Sequence, residues 1–194
     1  MGREKNTSFE GSYNTWQEAD AHCNGYDNMD ILEKVLSATL KVKNGESVYV
    51  RDSVIFDQIE YSWPVLTGLM WAAAQNSGCL KVLDFGGSLG SSYFENRLFL
   101  NSLPNFSWNV VEQAHFVVAG KKHIQDEYLR FYETIDGCIQ DIKPNAILLS
   151  SVLQYLSDPG KIIDTLIKIG SDVILIDRTI VNSNSVNEIY IQHV

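Results

Sequence analysis

The sequence predicts an α/β fold: an open, mostly parallel sheet flanked by helices, with a helical N-terminal extension. Three observations carry this expectation. From Leu80 onward, short apolar runs alternate with helical patterns, the pattern of parallel strands joined by right-handed crossovers. The first apolar run ends in a glycine-rich turn, Gly86-Gly87-Ser88-Leu89-Gly90, directly before a helical segment. The second run ends in an acid, Glu112.

The elements follow in order. Thr15-Trp16-Gln17-Glu18 is a capping box, and Gly25 closes the helix it starts. Asn28 caps a second helix that carries Ile31, Val35, Leu36, Thr39 and Leu40 on one face and ends at Asn44-Gly45. Residues 47–56 alternate like a short strand or lid. A third helix runs over 62–76, with Pro64 in its first turn and Leu66, Leu69, Met70 and Ala73 apolar. Tyr61, Trp63 and Trp71 are expected in the core. Together residues 1–78 form a helical cap or lid region, and 79–194 form the sheet domain, the two making one structural unit. Strands are expected at 80–85, 108–112, 129–134, 146–150 and 173–177, with a sixth at 189–194. Helices fall near 91–102, 114–126 and 159–169. In the first of these, positions 94 and 98 and positions 93, 97 and 100 face inward in part, and Asp158 and Pro159 start the last. The polar run 182–185 is a loop.

The glycine turn discriminates between ligands. Strand, glycine turn, helix builds nucleotide sites in open α/β sheets. A dinucleotide fingerprint needs Gly-x-Gly-x-x-Gly, and from Gly86 it fails, because Ser88 and Ser91 stand where the second and third glycines belong. What is present is Asp84-x-Gly86-x-x-x-Gly90, with an extra Gly87. This pattern resembles the first motif of class I S-adenosylmethionine-dependent methyltransferases, departing from it at Ser88, where many members carry glycine. Glu112 follows Gly90 by 22 positions, and an acid there can accept both ribose hydroxyls. As a lone residue it would read as a solvated strand end or as the cap of the helix starting near Ala114; beside the glycine turn the ribose role is favoured.

The segment from Ala146 to Leu156 is similar to the fourth-strand motif of the same enzymes, with Gln154 where histidine is common. The segments Gly11–Ala19, Gly25–Asp27, Val50–Ser53, Leu83–Gly90, Val110–Gln113, Ser150–Leu156 and Ile176–Thr179 together resemble one bacterial family of such methyltransferases. The resemblance runs from about Phe9 onward, and the family is often associated with surface-polysaccharide gene clusters. It implies a Rossmann-like sheet and S-adenosylmethionine as cofactor. The cofactor is expected on Asp84, Gly86, Gly87, Ser88, Gly90, Glu112, Gln113, Ser150, Ser151 and Gln154, with adenine near Thr134 and Ile135 and a contact from Glu133 or Asp136. Acceptor-site candidates are Arg51, Asp52, Tyr155 and Arg178. Arg178 either holds an acidic acceptor or pairs with Asp177, and Arg51 and Asp52 either close over the cofactor or pair with each other. A complete sheet of this type has seven strands, so a shortened sheet edge and a homodimer that covers it are further expectations. No residue is assignable as a general base, and the four histidines point to structural roles.

Composition narrows the partners. The chain has 194 residues, 45% of them hydrophobic, and a formal net charge of −9. An acidic chain lacks the cationic surplus that phosphate backbones require, so nucleic acid is not the expected acceptor. Lys121-Lys122-His123 reads as a helix C-terminal turn. No run is long and apolar enough to span a bilayer, and the polar N-terminus is not a signal peptide. Three scattered cysteines, Cys23, Cys79 and Cys138, form no metal or disulfide pattern. They are expected as buried or half-buried thiols in a cytoplasmic protein, with no metal. The sequence therefore predicts methyl transfer to a small-molecule or glycan-type acceptor. The rivals are an NAD-dependent oxidoreductase and a non-catalytic cofactor-binding or assembly protein.

Overall fold

The computed structural model describes residues 8–23, 29–51, 54–181 and 188–193. The expected roles of Gly25, Asn28, Asp52 and the loop at 182–185 lie outside them. The chain divides into two compact units, 1–31 with 181–194, and 32–180.

The larger unit has the expected Rossmann-like architecture. Five parallel strands, β4 (Cys79–Phe85), β5 (Asn105–Val111), β6 (Leu129–Tyr132), β7 (Ala146–Ser150) and β8 (Val173–Asp177), lie in the order β6-β5-β4-β7-β8. The order reverses direction at β4, so the carboxyl ends of β4, β5 and β7 meet at a switch point, where such sheets open a ligand crevice. Core strand residues such as Leu80, Val82, Leu83, Trp108, Val110, Ile147 and Leu149 are fully or almost fully buried, as expected for strands covered on both faces.

Helices α3 (Trp63–Gln75), α4 (Ser91–Leu100) and α5 (Ala114–Ala119) belong to this unit. Pro64 stands in the first turn of α3, and Val65, Leu66, Leu69, Ala72 and Ala73 are its buried stripe. Gly68 lets α3 approach β8, since a Cβ there would meet Leu175. The turn after α5, Gly120–Ile124, is π-helical and carries Lys121, Lys122 and His123. Another core cluster joins Leu83, Val111, Ile147 and Leu149 to Cys138 and Leu166. Those two come from α6 (Ile135–Asp141), capped by Thr134, and α7 (Pro159–Ile167), capped by Asp158. A two-stranded hairpin, β2 (Tyr49–Arg51) with β3 (Val54–Phe56), occupies the segment expected as strand or lid. It follows α2 (Met29–Lys43), whose buried residues include Leu32, Ala38, Thr39 and Val42.

The smaller unit pairs β1 (Ser8–Tyr13) antiparallel with β9 (Ile189–His193), with an irregularity between Glu10 and Tyr13. The expected sixth strand thus forms, but in a separate two-stranded sheet and not on the parallel one. Helix α1 (Trp16–Asp20) begins as its capping box predicts: Glu18 N donates to Thr15 Oγ1 at 3.2 Å. The reciprocal bond comes from Asn14 N to Glu18 Oε2 at 3.1 Å.

Several side-chain expectations fail. Trp63 and Trp71 are exposed, at 60% and 50%, and Cys23 is exposed. On α4, Leu98 is exposed, while Ser92, Glu95 and Asn96 are buried. Glu95 is held by Tyr49, Ser62 and Arg178 from elsewhere in the unit, and Asn96 Nδ2 donates back to the Ser92 carbonyl within the helix.

Candidate functional site

The chain after β4 turns through three left-handed residues: Gly86 (φ 72°), Ser88 (φ 53°) and Gly90 (φ 86°). Serine adopts this conformation only at a cost, and such residues concentrate at sites where surrounding structure fixes them. The fixing contact is a carboxylate. Ser88 N donates to Glu112 Oε2 at 3.0 Å, and Gln113 N donates to Glu112 Oε1 at 2.9 Å. Gly86 N donates to the Val111 carbonyl at 2.9 Å. The turn after β4 is therefore laced to the end of β5. Glu112 is half-buried, and burial pushes its carboxyl up while the two N–H donors and nearby His115 act downward.

Behind the turn lies Asp84, with no exposed surface. Its Oδ2 accepts from Trp108 Nε1 at 2.8 Å, and its Oδ1 has no partner. Burial pushes this carboxyl up to about 7; the Trp108 N–H opposes that shift, the Glu112 charge adds to it, and the Arg178 charge opposes it. The glycines serve packing as much as access. A Cβ on Gly87 would strike the Asp84 carboxylate, one on Gly86 would strike Val152, and one on Gly90 would crowd Leu129.

At the other side of the switch point, Ser151 (φ 57°) and Arg178 (φ 47°) follow β7 and β8 in the same left-handed conformation. Ser151 N donates to the Asp177 carbonyl at 3.0 Å. The Asp177 carboxylate accepts from Ser62 Oγ at 3.1 Å, Ser150 Oγ at 3.3 Å and Arg178 Nε at 2.9 Å. Arg178 Nη2 bonds Glu95 Oε2 at 3.2 Å, and the buried Glu95 also accepts from Tyr49 OH at 3.0 Å and Ser62 N at 3.1 Å. Burial opposes the Arg178 charge, but Tyr49, Asp177 and Glu95 more than offset it, so its pKa is raised. Gln154 Nε2 donates to Ser151 Oγ at 3.2 Å, while its buried Oε1 is unpartnered.

The expected site residues thus fall into three places. Asp84, Gly86, Gly87, Ser88, Gly90, Glu112 and Gln113 gather at the ends of β4 and β5. Ser150, Ser151, Gln154 and Arg178 gather at the ends of β7 and β8, with Tyr155 in the short 3-10 turn 153–155. Thr134 and Ile135 follow β6, where the Thr134 hydroxyl is already engaged as the α6 cap, accepting from Gly137 N at 3.0 Å. Arg51 lies over the Phe56 ring, 5.2 Å from its centroid. Residues that sequence patterns did not single out are Tyr49, Ser62 and Glu95; Asp177, expected as a possible partner of Arg178, does pair with it. No local motif links them, since Tyr49 and Glu95 are 46 positions apart and Ser62 and Asp177 are 115 apart. The available signal was an acid, Glu95, inside an apolar helix.

Two open concavities of about 400 and 450 Å³ lie elsewhere, around Ser37 and Ile55 and around Val42 and Phe94. Neither is lined by Gly86, Glu112 or Ser150. Among the described residues no helix is long and apolar enough to cross a membrane, and no group of three or more His, Cys, Asp or Glu could hold a metal ion.

No family model matches the chain, and no curated protein matches it. One solved structure of similar fold is the plantazolicin methyltransferase BamL, in complex with a triazolic desmethylPZN analog and SAH. The match is 15% identical with a TM-score of 0.41, and covers 73% of this chain and 55% of that one. This chain therefore spans little over half the length of that protein, and a likeness so distant carries nothing about chemistry.

Proposed function

We propose that this protein is an S-adenosylmethionine-dependent methyltransferase, binding the cofactor at the carboxyl ends of β4, β5, β6 and β7. The observation that carries the proposal is the bond between Ser88 N and Glu112 at the switch point of the sheet. A carboxylate has about four lone-pair sites, and Glu112 spends two on Ser88 and Gln113. The other two suit the paired hydroxyls of a ribose. The residues present therefore fit the cofactor: Glu112 for the ribose, the 86–90 turn for the methionine portion, Ser150, Ser151 and Gln154 alongside, and the loop at Thr134 and Ile135 for adenine. The cofactor supplies an already activated methyl group. The protein then has to align a nucleophile for in-line attack and exclude water.

The acceptor falls in the small-molecule or glycan-type class, in a cytoplasmic setting; surface-polysaccharide synthesis and a homodimer belong to the same proposal. Calorimetric titration with S-adenosylmethionine, S-adenosylhomocysteine and NAD tests it. Binding of the first two and silence from NAD is the expected result. Binding of NAD alone would support an oxidoreductase instead. Cofactor binding without turnover on a broad acceptor pool would support a non-catalytic binding protein.

A further inference from the structure

We infer that the methyl acceptor is an organic amine, seated against the Tyr61–Trp63–Phe99 ring cluster with its nitrogen at Asp177. The inference rests on the methyltransferase proposal and deepens it.

The first argument is a count of donors and acceptors. Buried polar atoms are nearly always paired, so each unpaired one calls for a partner. The unpaired atoms at this sheet edge are Gln154 Oε1, an acceptor, Asp84 Oδ1, which accepts or donates with its proton, and His115 Nε2, which takes either role. Asp84 is wholly buried. A ligand that meets Gln154 Oε1 brings an N–H or O–H donor.

The second argument is charge. Four carboxyl groups, Asp84, Glu95, Glu112 and Asp177, share this edge with one guanidinium. Arg178 spends Nε on Asp177 and Nη2 on Glu95, so its Nε–Nη2 fork is closed to a carboxylate or phosphate. An anionic acceptor, a sugar phosphate included, meets these acids with the Nε–Nη2 fork of Arg178 already engaged. Arg178 is accordingly a positioning residue that ties β8 to α4, and the accessible acid beside it is Asp177, whose side chain is 18% exposed.

The third argument is the aromatic surface. Tyr61, Trp63 and Phe99 form a cluster with ring centroids 5.3–6.2 Å apart, and Trp63 is 60% exposed. This cluster flanks the acids directly. Ser62, between Tyr61 and Trp63, donates to both Glu95 and Asp177, and Phe99 is one helical turn beyond Glu95. Exposed aromatic faces beside carboxylates recognise cations on organic groups, through cation–π attraction and apolar burial together.

The chemistry balances. The acceptor arrives as an ammonium ion and loses one proton to solvent past Asp177. The freed nitrogen lone pair forms the N–C bond as the S–C bond breaks. That electron pair stays on sulfur, leaving S-adenosylhomocysteine and a methylammonium product.

The test uses the full chain and three matched probes, 2-phenylethylammonium, 2-phenylethanol and 3-phenylpropionate. Binding is followed by the NMR signals of the Trp63 indole N–H and the Arg178 Nε–H. The ammonium probe is expected to shift both saturably and to bind about tenfold tighter than either analogue. Asp177→Asn should shrink that preference to about twofold, and Trp63→Ala, at an exposed position, should weaken the ammonium probe about tenfold. Equal affinities, a preference for the carboxylate, or no saturable shift with the ammonium would overturn the inference. Calorimetry with S-adenosylhomocysteine on the same sample separates the two ideas. Amine binding without cofactor binding refutes the methyltransferase proposal and leaves an amine-binding site with no methyl transfer, and the reverse outcome refutes the amine alone.

Discussion

The two sides of the switch point are built from different materials. At the ends of β4 and β5 the backbone makes the site: Gly86, Ser88 and Gly90 turn left-handed, and Glu112 collects main-chain N–H groups. At the ends of β7 and β8 side chains make it: Tyr49, Ser62, Glu95, Ser150, Asp177 and Arg178 hold one another. A backbone site is written in consecutive residues. A side-chain network is written across the whole chain. The first side should therefore be sensitive to shape and the second to charge.

Removing charge from the second side should have the largest effect. Glu95→Ala leaves Arg178 and Tyr49 without a buried partner, and breaking a buried pair from one side costs about 3–5 kcal/mol. Urea denaturation should show that loss, with Glu95→Gln retaining part of the stability through the Tyr49 and Ser62 bonds. A small change in both variants would mean that solvent replaces the network easily.

Asp84 is the fully buried carboxyl of the first side, and pH tests it. Its folded pKa is raised from 3.8 to about 7, chiefly by burial. The folded state therefore holds a proton that the unfolded state releases. Stability from this group is full below about pH 4, falls as pH rises to about 7, and is then flat. The loss is at most about 4 kcal/mol, from 1.36 kcal/mol per unit. Urea midpoints measured from pH 4 to 8 should fall in the wild type, and this component of the slope should vanish in Asp84→Asn. An unchanged slope in the variant would assign the pH dependence to other groups.

The shape of the first side is tested by Gly86→Val. A β-branched residue at φ 72° costs about 1–2 kcal/mol, and crowding Val152 adds about 1–3 kcal/mol. Denaturation should show their sum, about 2–5 kcal/mol, and S-adenosylhomocysteine binding should disappear. Adding Val152→Ala should recover the crowding part of the stability and not the backbone part. The geometry revises the reason for the glycine here, since the position the side chain would take is filled by Val152 and not by open space.

The same contrast explains what could be read from the sequence. Strands β7 and β8 have the bounds the sequence predicts, because each is a continuous apolar run between turn signals, although only β7 is buried nearly throughout. The cofactor-side candidates were legible because Asp84, Gly86, Gly90 and Glu112 sit at fixed offsets along two strands. Strand β1 was missed, for Ser8–Tyr13 is exposed along nearly its whole length and shows no alternation. The pairing of β9 with β1, apart from the parallel sheet, is not legible because pairing partners leave no local trace. Helix α6 is only seven residues long, and its signal was a single capping threonine. The Tyr49–Glu95–Arg178 contacts link residues 46 and 83 positions apart, beyond the reach of any periodicity.

Glu112→Ala removes a carboxylate from the first side without touching the glycines. Cofactor affinity should fall by about 1.5–3 kcal/mol, the range for hydrogen bonds to a charged group. Calorimetry measures it directly. Because Ser88 N and Gln113 N lose their acceptor as well, Glu112→Gln separates the roles. It keeps one oxygen acceptor and so should preserve more of the loop than of the ribose contact. Full affinity in Glu112→Ala, with the fold intact, would make the residue an ordinary strand end.

The smallest effect is expected where both materials meet, at the loop after β6. Thr134 Oγ1 caps α6 through Gly137 N, so its hydroxyl is engaged whether or not a ligand is present. Thr134→Ala should cost about 1 kcal/mol of stability, the usual value of an N-cap, and leave adenosine affinity within about twofold. Ile135 is different. It is half-buried against the cluster of Leu83, Ile147 and Leu149, on the loop where the adenine is proposed to lie. Its methyl resonance should move on titration with adenosine, in the wild type and in Thr134→Ala alike. A shifted Ile135 with an unchanged constant would show that the wall is apolar and that the threonine serves the helix. An Ile135 signal that stays fixed while adenosine binds would place the adenine elsewhere on the sheet edge.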